Sequence, residues 1–81
     1  MREIVIGGKY RHFKGHEYRV ICVAKDSENL EDMVVYHNEV DDLYWVRPKS
    51  EFLSKVDKEK YPDVKQEYRF EEMNIESVNK K

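Results

Sequence analysis

The sequence predicts an all-β fold: a small SH3-like barrel of about five short strands, with one short helical turn and a flexible C-terminal tail. Three observations carry this. Runs of aromatic and β-branched residues recur at close spacing, at positions 9–13, 17–23, 33–37 and 43–47. Turn-forming residues separate them, notably Gly15 after the first and an acidic stretch, 38–42, after the third. The segments between the runs leave no room for a long helix.

Each element has its own local reason. Ile4, Val5 and Ile6 suggest an opening strand, broken by Gly7 and Gly8. Positions 9–13 and 17–23 then form a hairpin whose turn places Gly15 third, where positive φ is tolerated. Two registers compete. A three-residue loop sets Tyr10 and His12 on one face with Tyr18, Val20 and Cys22; a two-residue loop puts His12 opposite Glu17. The first gathers more apolar side chains on one side and is favoured. Residues 24–31 read as a polar loop with a single helical turn capped by Asp26 or Ser27, and Leu30 folding back on the core. Residues 33–37 and 43–47 lack clean alternation, which suggests partial burial on both faces. Pro48 has no N–H and ends the ladder. Ser50 to Leu53 make the helical turn, and Lys55 and Val56 the last strand of a sheet whose closure would remove exposed edges.

At 81 residues there is room for one core only, and its stability margin is thin. Apolar and charged residues each make up 40% of the chain, so a core requires the apolar ones to be concentrated. They are, up to Val56. The expected organisation is a β-barrel domain at 1–56 and a charged linker and extension at 57–81. Val64 to Phe70 offer an extra strand, with fraying beyond Glu71 apart from a weak amphipathic pattern at Met73, Ile75 and Val78. The single cysteine, Cys22, excludes an internal disulfide framework and fits a reducing compartment. No run approaches the roughly 20 apolar residues that cross a bilayer, and residues 1–6 are too short and acidic for a signal peptide. A cytoplasmic protein without a membrane partner is the expectation.

Charge is uneven. The first 25 residues hold six basic against two acidic side chains, whereas residues 26–54 hold two against eight. The first segment makes a basic face only if folding keeps the acidic loops away. His12, His16 and His37 with Cys22 raise a metal site. However, His12 and His16 straddle a turn, no Cys-x-x-Cys is present, and no metal or cofactor is expected. Cys22, inside an apolar strand, reads as inert packing, and Ser27 beside Glu28 as a turn and cap. Two placements of His12 stay open, a buried imidazole and an outward anion contact. Trp45 and Arg47 alternate and share a face. Trp45 reads mainly as core; Arg47 reads as exposed, or paired with Glu28 or Asp42.

The run from Gly8 to Gly15, then Tyr18, Ser27 and Glu28, Val34 to Tyr36, Trp45 to Pro48 and Phe52, resembles a family of short bacterial proteins catalogued as a domain of unknown function. The resemblance covers about residues 8–56, with an echo at Tyr68, Arg69 and Phe70. It departs at Asp26, Asn29, His37 and the 39–42 turn. It implies a compact bacterial domain and brings no activity, cofactor or substrate. The residues themselves suggest a non-catalytic binding module, with a candidate surface of Tyr10, Arg11, His12, Ser27, Glu28, Tyr36, Trp45 and Arg47. A protein or peptide partner ranks first. Nucleic acid or a nucleotide, bound through the basic N-terminal hairpin, ranks second, and a small metal-dependent or hydrolytic enzyme third. Oligomeric state is left open.

Overall fold

The computed structural model describes residues 3–73. One antiparallel sheet runs in the order β4-β3-β2-β1-β5. Its strands are β1 (Lys9–His12), β2 (Glu17–Lys25), β3 (Asp32–Asn38), β4 (Leu43–Pro48) and β5 (Phe70–Glu72), with a one-turn helix, α1 (Lys49–Phe52), after β4. The fold is all-β, as the sequence predicts, but the sheet is open: β4 and β5 are its edges.

The β1–β2 hairpin adopts the favoured register, with Tyr10 opposite Tyr18 and Arg11 opposite Glu17. Its loop is three residues long. The Gly15 amide donates to the His12 carbonyl at 2.7 Å, and Gly15 takes φ +102°, a value L side chains rarely adopt. Glycine therefore closes the turn at its fourth position, not its third.

The register correctly groups Tyr10, His12, Tyr18 and Val20, but Cys22 leaves that group. Val20 pairs with Tyr36 and Cys22 with Val35, so Ile21 is the extra residue of a β-bulge. Because one inserted residue flips the alternation, Cys22 falls on the outer face and is exposed, not packed.

Burial alternates along β3, with Val34, Tyr36 and Asn38 buried and the residues between them half-buried. The core is built on that inner face from Tyr10, Val20, Val34, Tyr36, Phe52 and Phe70. Phe52 and Phe70 stack at 4.1 Å with an 8° interplanar angle, and Tyr36 meets both edge-on. Asn38 is buried without penalty, since its side-chain oxygen accepts from the Val40 and Asp41 amides at 2.8 and 3.2 Å.

Other expectations differ. Residues 4–8 form no strand; they loop back so that the Val5 amide donates to the Tyr10 hydroxyl at 3.0 Å. The β2–β3 connection does make the single turn expected there, closed where the Leu30 amide donates to the Asp26 carbonyl at 2.7 Å. Asp26 accepts from the Glu28 amide at 2.8 Å, while Leu30 sits at φ +64° and points to solvent. The fifth strand is not at Lys55 and Val56; Lys55 makes a lone bridge to Tyr68, and Phe70–Glu72 takes the place beside β1. The core thus extends past the expected boundary at Val56, because Phe70 is fully buried in it. The frayed segment expected beyond Glu71 lies, after Met73, outside the described residues. No helix among the described residues is long and apolar enough to cross a membrane.

Candidate functional site

One end of the inner face opens into a cationic cavity of about 280 Å³, lined by His12, Phe13, Lys14, Arg47, Asp57, Lys60, Tyr61 and Arg69. Three stretches of chain build it. The β1–β2 turn supplies His12, Phe13 and Lys14; the end of β4 supplies Arg47. The return from α1 to β5 supplies the rest, tied to the hairpin where the Phe13 amide donates to the Arg69 carbonyl at 3.0 Å.

The aromatic rings form its wall. Phe13 stacks on His12 at 4.5 Å and tilts against Tyr61 at 4.9 Å. Behind the lining, the core residue Phe70 meets His12 edge-on at 4.9 Å. The cations ride on these rings: Lys14 is 5.7 Å and Lys60 6.0 Å from the Tyr61 centroid, and Arg47 is 5.9 Å from that of Phe70. Arg47 also donates to the Tyr36 hydroxyl at 3.2 Å and lies 3.7 Å from Glu51. Arg69 donates to Ser54 Oγ at 3.3 Å. The one carboxylate in the lining, Asp57, accepts from the Glu59 and Lys60 amides, at 3.0 and 3.4 Å.

His12 is the electrostatic probe of this cavity. Burial, then the charges of Arg69, Arg47 and Lys14, lower its pKa from 6.5 to about 4. Its Nδ1 accepts from the Lys14 amide at 3.1 Å, so the neutral ring carries its proton on Nε2 as a donor. The folded state thus disfavours the imidazolium. Stability should fall as pH drops from about 6.5 toward about 4, by on the order of 1–2 kcal/mol after solvent screening. The lowered carboxylates, Asp32 held by Lys25 and Glu39 held by Arg19, act in the same direction as pH falls below their ordinary values of 3.8 and 4.5, at the acid end of that window and beyond it. Thermal melts between pH 7 and 4.5 check this, and His12→Gln should flatten the profile.

The sequence-predicted residues divide. His12, Tyr36 and Arg47 come together here, but Tyr10 and Tyr36 are buried in the core, not presented to a ligand. Arg11 faces outward and pairs with Glu17 at 3.3 Å. Ser27 and Glu28 sit exposed on the β2–β3 loop and are absent from the cavity lining. Trp45 is exposed on the edge strand β4, not mainly core. Arg47 pairs with Glu51, one helical turn on, not with Glu28 or Asp42. Lys60, Tyr61 and Arg69 were missed because the 57–60 charges read as a solvated linker. The alternation of Arg69 between Tyr68 and Phe70 was their only sequence signal. Among the described residues, no three His, Cys, Asp or Glu side chains converge as a metal ion would need.

Neither a curated protein nor a solved structure matches the chain. A family described as protein of unknown function (DUF1653) matches residues 8–72, a span that contains the whole lining of the cavity and all five strands. The chain belongs to this family.

Proposed function

We propose that the protein is a non-catalytic binding module that takes a phosphate-bearing ligand, a nucleotide or a single-stranded nucleic acid, in the cationic cavity. One observation carries the reading. Lys14, Arg47, Lys60 and Arg69 converge around a neutral His12, with Asp57 the one carboxylate in the lining and Glu51 set against Arg47 from outside it. Like charges repel, so a site holding four of them is relieved by an anion. Phosphate suits it, because arginine guanidinium forks match its oxygens. The exposed side of the Phe13–Tyr61 wall adds a surface on which a base stacks. This ligand class ranks above a peptide in the same cavity, because two of the aromatics a peptide reading relies on, Tyr10 and Tyr36, are core. A cytoplasmic setting belongs to the same reading, since Cys22 is an exposed free thiol that suits a reducing compartment.

Amide NMR spectra recorded with inorganic phosphate, a mononucleotide and a single-stranded oligonucleotide separate the ligand sources. Shifts at Lys14, Arg47, Lys60, Tyr61 and Arg69 are expected. For an oligonucleotide, log affinity should fall with log salt at a slope of about −2 to −3, as three or four neutralised phosphates require. No shifts at millimolar ligand, or shifts spread over the acidic loops instead, refute the assignment.

A further inference from the structure

We propose that the cavity takes a terminal phosphate monoester, that of a mononucleotide or of an oligonucleotide end, and not the diester backbone of a strand running past it. This rests on the cavity being a phosphate site and names which phosphate enters. The distribution of paired and unpaired cations carries it. Every lysine and arginine of β1 and β2 is held by a carboxylate. Lys9 and Arg19 share Glu39, at 3.4 and 2.9 Å; Arg11 meets Glu17 at 3.3 Å and Lys25 meets Asp32 at 2.8 Å. On the return from α1, Lys55 meets Glu67 at 3.4 Å, and Lys58 donates to the Val64 and Gln66 carbonyls. Proteins that follow a single strand do so with a continuous positive groove. Here a strand laid over the hairpin would meet carboxylates beside its cations.

The cavity is the exception. Among the described residues, Lys14, Lys60 and Arg69 form no ion pair with a carboxylate, and Arg47 has only Glu51, at 3.7 Å. These four side chains reach one space of about 280 Å³ from three stretches of chain. Their charge is a point and not a track. Such a point discriminates by the charge of the group it holds: a monoester carries about −1.5 to −2 at pH 7, and each backbone phosphate a single negative charge. The monoester also turns an additional free oxygen toward the Arg47 and Arg69 guanidinium forks. In an oligonucleotide the end then enters, while the next diesters stay at the rim. The tilted Phe13 and Tyr61 rings, 4.9 Å apart, give the base a surface, which favours a nucleotide over a phosphopeptide.

Isothermal titration of the full chain with one trinucleotide sequence tests this, the phosphate being placed on its 5′ end, on its 3′ end or on neither. One phosphorylated form should bind at least about tenfold more tightly than the unphosphorylated one. Lengthening that form to about nine nucleotides should change affinity less than about threefold, since only the end and its first neighbours are held. Arg69→Ala should shrink the terminal-phosphate advantage to about threefold or less, while Arg11→Ala, outside the cavity, leaves it unchanged. Equal affinity of all forms, with amide shifts at the cavity, overturns the proposal yet leaves a phosphate site standing. Affinity that grows with every added nucleotide also overturns it, in favour of a strand-following surface. So does a phosphoserine peptide that binds more tightly than the best trinucleotide. No binding of any form at millimolar concentration removes the phosphate site, and the proposal with it.

Discussion

Phe70→Ala should cost about 3–5 kcal/mol and leave the protein only marginally stable at 25 °C. The ring is fully buried, stacks on Phe52 at 4.1 Å, and meets His12, Tyr18 and Tyr36 edge-on at 4.9, 5.9 and 5.3 Å. Removing it opens a cavity beneath these four aromatic partners, which cannot all collapse into it. A chain of 81 residues has roughly 4–8 kcal/mol of stability in all, so the loss is most of the total. Urea unfolding checks the magnitude. Phe70→Leu, which keeps most of the volume, should cost about 1–2 kcal/mol. The same packing predicts that a chain ending at Val56 gives the poorly dispersed amide spectrum of an unfolded peptide, because it lacks both Phe70 and the strand beside β1.

Arg69→Ala should weaken a phosphate-bearing ligand about 10- to 100-fold, the value of a charged hydrogen-bonding group of about 1.5–3 kcal/mol. It is the cleanest probe of the cavity. Its fold contact is made by backbone, the carbonyl that accepts from Phe13, and Ser54 Oγ keeps its own bond to the Glu51 carbonyl at 2.7 Å. Arg47→Ala should weaken binding by a similar factor but also cost about 1 kcal/mol of stability, since Tyr36 loses its partner. Both variants carry a second readout. Arg69 and Arg47 each help hold His12 at about 4, so its pKa should rise in either variant. It should stay below 6.5, because burial is the larger cause. Ligand added to the native protein should raise it too, by offsetting the same cations. Isothermal titration and histidine NMR read the two effects. Unchanged affinity in both variants places the ligand elsewhere.

Much of the sheet was legible because its signals are local. Gly15 marks a tight hairpin, Pro48 a strand end, and the 38–42 stretch an acidic turn; each follows from what one or two side chains allow the backbone to do. The bulge at Ile21 left no such mark, since no glycine sits there, and it moved Cys22 to the other face. The sequence partly outlined the candidate site. His12 and Arg47 stood in recognisable motifs, whereas Lys60 and Arg69 stood in a segment whose composition resembles a linker.

Composition and local turn chemistry by themselves determined an all-β domain, its first four strands, the short helix and the favoured hairpin register. Only the tertiary structure decided which strand lies beside β1, that Phe70 belongs to the core, and that Trp45 lies exposed on an edge. Those outcomes depend on contacts between residues far apart in the chain, such as Gln66, whose side chain donates to the Arg11 carbonyl at 3.0 Å across 55 positions. Periodicity and propensity report on a few neighbouring residues. The pairing of β1 with β5 is set by how the aromatic rings of the whole chain pack against one another.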